Sequence, residues 1–299
     1  MKRDCFVIPS NLPKANWLIS FINSVAARTR SFSFDIVIGT SNEQEYRRYA
    51  RLIPTMSVNS TIRLVDISGY ISRVLQSETL LDRYNRNAEG CIINVKKFAL
   101  LKWACDQGYE RIGGIDGDTA AIRDMDGVFD AMQENYRKKL LVGSSFRHHE
   151  ATHITAACLR HFSDANIEEL KLNDGDYLYS WFFDVPYYER NDLNEFFDFM
   201  SDQYGSLVAW FETIRKEDFE HQIFHYWLYF HKGYKLFDTR FITSYFMPES
   251  CLYSHFMAIR DHVDYSPVWI YTWEYLHQPD IIDSFPSIFM LSHFDRMFL

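Results

Sequence analysis

The stretch GYERIGGIDGDTAAIRDMDG, residues 108–127, places two aspartates, Asp116 and Asp118, directly after the apolar run Ile112-Gly113-Gly114-Ile115. The run reads as a buried strand that follows a glycine-terminated helix and ends in a polar loop. Two carboxylates at the end of such a strand lose hydration and repel each other, so the pattern asks for something positive between them. Reading outward sets the fold class. CFVIP (5–9) is a short apolar strand ended by proline, NWLISFINSVAART (16–29) has helical spacing, and FDIVIGT (34–40) is a second strand. SNEQEYRRYARLI (41–53) reads as a helix capped by Ser41 or Asn42, TIRLVDI (61–67) as a third strand, and INVKKFALLKWACDQG (93–108) as a helix ended by Gly108. Strands alternating with helices predict an α/β fold whose mostly parallel sheet is covered on both faces.

In such sheets ligands bind beyond the carboxyl ends of the strands. Pro9-Ser10-Asn11, Gly39-Thr40-Ser41 and Asp116-Gly117-Asp118 fall at those ends and form one candidate site. From about residue 140 the strand LLVGSSF continues the pattern, after which long aromatic segments and polar turns take over. With no repeats, low-complexity tracts or linker-like stretches, residues 1–299 are expected to form one domain. Its halves are a ligand-binding 1–140 and an aromatic-rich 141–299 on the acceptor side.

Composition excludes several classes. A net charge of -9 argues against nucleic-acid binding, which relies on a surplus of Lys and Arg. Five dispersed cysteines with no CxxC pair indicate neither a disulfide framework nor a structural zinc site. No run of about 18 apolar residues occurs, and Asp4, Pro9 and Pro13 interrupt any secretory segment, so a cytoplasmic location is expected. Aromatic residues make up 17% of the chain, and most are expected in the core. A minority suits stacking on sugar rings or peripheral contact with a membrane face. Oligomeric state is not readable.

The sequence contains three DxD triplets. Asp124-Met-Asp126 and Asp174-Gly-Asp176 lie in turn-forming contexts, and only Asp116-Gly-Asp118 follows a helix and an apolar strand. The plain structural reading of that pair is a strand-end turn with one aspartate capping the next helix. A helix-loop-helix calcium site fails, because Ala120 and Ala121 occupy its fifth and sixth places. An aspartyl phosphatase or phosphotransferase would use the first aspartate as nucleophile, yet Ala120 stands where Thr or Val is expected. The third reading is a divalent cation bridging a nucleotide diphosphate. Mg²⁺ or Mn²⁺ takes one or two protein carboxylates and fills its remaining positions with phosphate oxygens and water. A catalytically silent nucleotide- or sugar-binding protein is a further alternative.

On the residues KKFALLKWACDQGYERIGGIDGDTAAIRDMDGVF, the chain resembles nucleotide-sugar-dependent glycosyltransferases of the GT-A fold, with a layout similar to bacterial lipopolysaccharide and capsule transferases. In them a basic helix precedes an apolar strand and a DxD motif. Gly113-Gly114 departs from the bulkier strand residues usual there, leaving either more room near the donor or a tightly packed strand. The resemblance implies a GT-A fold, a Mn²⁺ or Mg²⁺ cofactor, a nucleotide-sugar donor such as a UDP-sugar and a glycan or lipid-linked glycan acceptor. It implies that Asp118 ligates the metal and that Asp116 contacts the donor ribose and the metal. Lys96 and Lys97 fall at its basic helix position, and Pro9, Ser10, Asn11 and Thr40 fall in its nucleotide-binding loops. A solvated lysine, a helix cap or a turn explains these positions as well.

The resemblance extends to RKEDFEHQIFHYWLYFHKGYK (215–235), which is similar to the segment carrying the catalytic base in inverting members. Asp218, then Glu220, are the candidates; Glu217 is weaker, and the competing explanation is acidic residues stabilising a helix N-terminus. The resemblance also implies a C-terminal histidine as third metal ligand. Of His255, His262 and His293, His262 fits best because Pro267 and Trp269 follow it. His221 and His225, spaced i, i+4, lack the glutamate of a zinc-protease helix and read as structural.

Overall fold

Four of the apolar runs form one parallel ribbon, in a computed structural model that describes residues 3–31, 33–53, 61–143, 149–162, 165–171, 184–238, 264–272 and 280–293. Strands β1 (Asp4–Pro9), β2 (Phe34–Thr40), β3 (Ile62–Asp66) and β4 (Arg111–Gly114) are joined on the far edge by an antiparallel strand, giving the order β3-β2-β1-β4-β7. That last strand, β7, is Tyr187–Glu189 and pairs Gly113 with Tyr187. Between β4 and β7 lie β5 (Ala120–Ala121) and β6 (Leu140–Gly143). The expected strand at 140 therefore exists, but it pairs with β8 (Lys235–Asp238) in a separate two-stranded sheet. A small third sheet joins β5, β10 (Met290–Ser292) and β9 (Trp269–Tyr271).

Both faces of the main sheet are covered, which is why β1 is buried along nearly its whole length. Side chains alternate across a strand, so Phe6 and Ile8 join one core with Leu18, Phe21, Ile22 and Val25 of helix α1 (Ala15–Arg28). Cys5 and Val7 join the other core. There Val95, Phe98 and Leu101 of a long helix pack against the aromatic residues of the C-terminal half. Helix α2 (Glu43–Leu52) begins at Asn42, whose side chain accepts from the Glu45 N–H at 3.0 Å, so Asn42 and not Ser41 is the cap. Helices α3 (Ile67–Tyr70) and α4 (Glu78–Asn85) lead into α5 (Ile92–Asp106), the long helix, and Gly108 follows it with a left-handed φ of 80°.

The close approach of β1 to β4 depends on Gly113. A Cβ there would lie 2.7 Å from the Phe6 ring, so the glycine makes room for a neighbouring core side chain. Of the two explanations open for the double glycine, tight strand packing holds at this position.

Helix α6 (Val128–Arg137) closes the first half, and the second adds α7 (His149–Leu159), α8 (Arg190–Tyr204), α9 (Leu207–Phe211) and α10 (Glu220–Lys232). Many of its described aromatic residues are core: Trp210 packs with its ring centroid 4.6 Å from Phe98 and 5.5 Å from Phe196. No helix among the described residues is long and apolar enough to cross a membrane.

Candidate active site

Strand β1 pairs with β2 on one side and with β4 on the other, so the direction of strand order reverses there and a crevice opens beyond the carboxyl ends of β1 and β4. Pro9-Ser10-Asn11 and Asp116-Gly117-Asp118 border it. The Asp118 side chain is 6% exposed and its Oδ2 lies 3.1 Å from Lys14 Nζ. Its other oxygen, Oδ1, is buried with no hydrogen-bond partner among the described residues. A buried carboxylate oxygen left in that state is costly and has capacity for a further donor or a cation. Asp116 is more open, at 38%. Lys97 Nζ lies 3.8 Å from Asp116 Oδ1 and 3.2 Å from Glu220 Oε1.

Three carboxylates and two ammonium groups thus share this end of the sheet. Burial works against the charged form of Lys97, but Asp116 and Glu220 outweigh it and hold its pKa above the ordinary lysine value. Burial pushes the Glu220 carboxyl up, and Lys97 offsets part of that rise. Glu220 Oε2 is buried without a hydrogen-bond partner among the described residues. Glu220 and Asp116 line a small cleft with Pro9, Lys97, Gly114 and Trp269.

The remaining loop residues act behind this surface. Lys96 is 4% exposed, and its ammonium donates to Ser10 O at 2.7 Å and to Ser41 Oγ at 2.8 Å. Burial lowers its pKa to about 8. Lys96 therefore ties the loop after β1 to the loop after β2. Tyr49 adds a second tie, exchanging a hydrogen bond with Ser10 Oγ at 2.7 Å and donating to Asn11 O at 2.9 Å. Thr40 is fully buried and donates to Val65 O at 3.2 Å, which joins β2 to β3. Asn11 is exposed and its Oδ1 accepts from Lys14 N at 3.2 Å, fixing the short turn from which Lys14 projects.

Asp218 has a different setting. It is fully buried, its Oδ2 accepts from Arg160 and from Arg215 N at 2.7 Å, and its Oδ1 lies 3.2 Å from His161 Nε2. Burial lowers the His161 pKa in spite of Asp218, so the ring is neutral. A carboxylate only accepts, so Nε2 carries the proton and Nδ1 accepts from Tyr204 OH at 2.7 Å. Both Asp218 oxygens are occupied, and none of its partners comes from the Asp116–Asp118 site.

Burial also keeps His221 and His225 neutral, the latter with a pKa near 4, and both line a separate cavity with Asp184 and Tyr265. Asp124 pairs with Arg30 at 3.1 Å and its Oδ1 accepts from Asp126 N at 3.0 Å, the geometry of a turn. His255, His262 and the Asp174–Asp176 triplet lie outside the described residues. His293 is described and bonds Ser292 Oγ through Nδ1 at 2.8 Å. Among the described residues no group of three or more His, Cys, Asp or Glu is gathered to hold a metal. Asp116 and Asp118 nevertheless offer the two oxygen donors that a hard divalent cation takes from protein when phosphate and water supply the rest.

Sequence reasoning missed Lys14 and made nothing of Trp269 in the cleft. Lys14 follows the strand-end loop already singled out, but its contact spans 104 residues of chain and only the folded structure reveals it.

No protein-family model matches the sequence, and no curated protein matches it significantly. Solved structures similar to it include mouse xyloside xylosyltransferase 1, at 9% identity and a TM-score of 0.43 over 97% of each chain. Another is the galactosyltransferase LgtC bound to donor and acceptor sugar analogs, at 11% identity and a TM-score of 0.44 over 97% of this chain and 86% of that one. The bifunctional glycosyltransferase WbbM is similar over 75% of this chain and 37% of its own, at 15% identity and a TM-score of 0.39.

Proposed function

We propose that this protein is a metal-assisted glycosyltransferase that moves a sugar from a nucleotide diphosphate donor, a UDP-sugar, to a glycan or lipid-linked precursor of the cell surface. The observation that carries the reading is the pair at the end of β4, where a buried Asp118 oxygen lacks any hydrogen-bond partner among the described residues and Asp116 stands open beside it. In this reading Asp116 and Asp118 hold Mn²⁺ or Mg²⁺, and His262 completes the set. The bound cation neutralises the diphosphate and stabilises it as a leaving group. Pro9, Ser10 and Asn11 form the wall of the nucleotide site, held in shape by Lys96 and Tyr49. Lys97, at the rim of the cleft, faces the leaving diphosphate.

Glu220 is the favoured proton acceptor, because its Oε2 is uncommitted and its raised pKa makes it a better base than an ordinary carboxylate. If transfer inverts the sugar, Glu220 takes the acceptor hydroxyl proton at Oε2. If transfer retains configuration, the leaving phosphate takes that proton and Glu220 holds Lys97 in place. The reaction belongs to the inner face of the membrane, where activated precursors of surface glycans are built.

Release of UDP from a panel of UDP-sugars, with and without Mn²⁺, tests the reading. Cation-dependent release that disappears in Asp118→Asn supports it. Phosphate release from a monoester would point instead to the phosphatase alternative. Tight nucleotide binding without turnover on any glycan would point to a silent binding protein.

A further inference from the structure

Lys14 makes a charge-pairing contact of unusual asymmetry with Asp118. Its side chain is 52% exposed, yet its ammonium lies 3.1 Å from one oxygen of a carboxylate that is 6% exposed and whose other oxygen has no hydrogen-bond partner among the described residues. The exposed lysine is held at its base, since the 3-10 turn Leu12–Lys14 is capped by Asn11, while its four-carbon stem leaves the ammonium free to change partners. Asp116, Asp118 and Glu220 against Lys14 and Lys97 leave this site with one net negative charge.

From this geometry we infer that Lys14 is a displaceable counter-ion of Asp118 that makes cation and diphosphate bind as a pair. The inference rests on the proposed role of Asp118 as a metal ligand. A divalent cation arriving alone must compete with the Lys14 ammonium and then sit beside two like charges. A diphosphate arriving alone meets three carboxylates. Arriving together, the cation takes Asp118, and Lys14, released, turns to the phosphate oxygens. Each then favours the other by the same factor, as linkage requires. Displacing a half-exposed ammonium costs at most about five-fold in cation affinity, the upper range for ion pairs of this exposure.

The test is Mn²⁺ binding, read from the electron paramagnetic resonance signal of the free ion, with and without UDP. It uses the wild type, Lys14→Met, Lys14→Arg and Asp118→Asn. Lys14→Met is expected to tighten Mn²⁺ binding in the absence of UDP by up to about five-fold and to shrink the gain that UDP confers, while Lys14→Arg behaves as wild type. If Lys14→Met leaves either the Mn²⁺ affinity or the UDP gain unchanged, the role of Lys14 is overturned while that of Asp118 stands. If the wild type binds no Mn²⁺ even with UDP, or Asp118→Asn binds it equally well, the metal reading falls and the role of Lys14 falls with it.

Discussion

Two carboxylate centres in this protein are built from similar residue types and do opposite things with them. At Asp218 every oxygen is accounted for by Arg160, His161 and the Arg215 amide, and water is shut out. At Asp116 and Asp118 the cationic partners are two lysines on flexible stems, one carboxylate is partly open, and a buried oxygen is left over. A saturated network holds elements together, here α10 and the Arg160–His161 segment. An unsaturated one has capacity for something the protein does not itself supply. On the proposed function, the contrast teaches that the degree of satisfaction separates a structural aspartate from a working one, more than the acidity of its neighbourhood in sequence.

The contrast can be broken most sharply at Asp218. Asp218→Ala leaves the buried His161 imidazole and the Arg215 amide without their acceptor and unpairs the part-exposed Arg160, and is expected to cost about 3 kcal/mol of stability in urea unfolding. A loss under about 1 kcal/mol would mean that the network holds little together. Lys96 provides a pH test. Its pKa is lowered by burial from 10.5 to about 8, so between those values the unfolded chain holds a proton that the folded chain has released, and folding stability rises with pH across that window. The wild type should gain up to about 3 kcal/mol relative to Lys96→Met between pH 8 and pH 10.5, measured by denaturation at each pH. Parallel curves would place the Lys96 ammonium in contact with solvent.

Asp118→Asn is expected to lower cation-dependent UDP release about 100-fold, or roughly 2.7 kcal/mol, while shifting stability by under about 1 kcal/mol. Equal losses of activity and stability would make Asp118 a second Asp218. Glu220→Gln sharpens the same line: turnover should fall by about 100-fold with UDP affinity kept if the enzyme inverts, and should change little if it retains configuration. The smallest effect is expected at Gly113→Ala, where the added methyl meets the Phe6 ring and overpacking costs about 1–3 kcal/mol in thermal or urea unfolding, with the site unaltered.

Much of the frame was legible because continuous apolar runs between glycines, prolines and caps have few alternatives. β1, β2, β3 and α5 fall where the pattern puts them, and so does the strand leading into Asp116. Strand β7 was not legible, since three residues, Tyr187–Glu189, become a strand only because β4 offers an unpaired edge. The site was half legible. Asp116 and Asp118 stand out by position, but the preference for Asp218 over Glu220 came from the resemblance of residues 215–235 to a base-bearing segment. What separates them is contributed from elsewhere in the chain: Arg160 and His161 for one, Lys97 for the other. Thr40 falls at the end of β2 and Lys96 on the helix before β4, where the pattern puts them, yet both point into the support of the loops, a distinction of side-chain direction that periodicity does not carry.

The tie made by Lys96 has a consequence for binding entropy. Because one ammonium bonds Ser10 O and Ser41 Oγ together, two loops some thirty residues apart are ordered before any ligand arrives. The conformational freedom of those loops is lost during folding and would not be lost again if, as proposed, a nucleotide settles against them, so preorganisation would contribute to affinity without adding a contact. The same clamp makes the two loops a single opening unit, and their backbone amides should exchange with solvent in step.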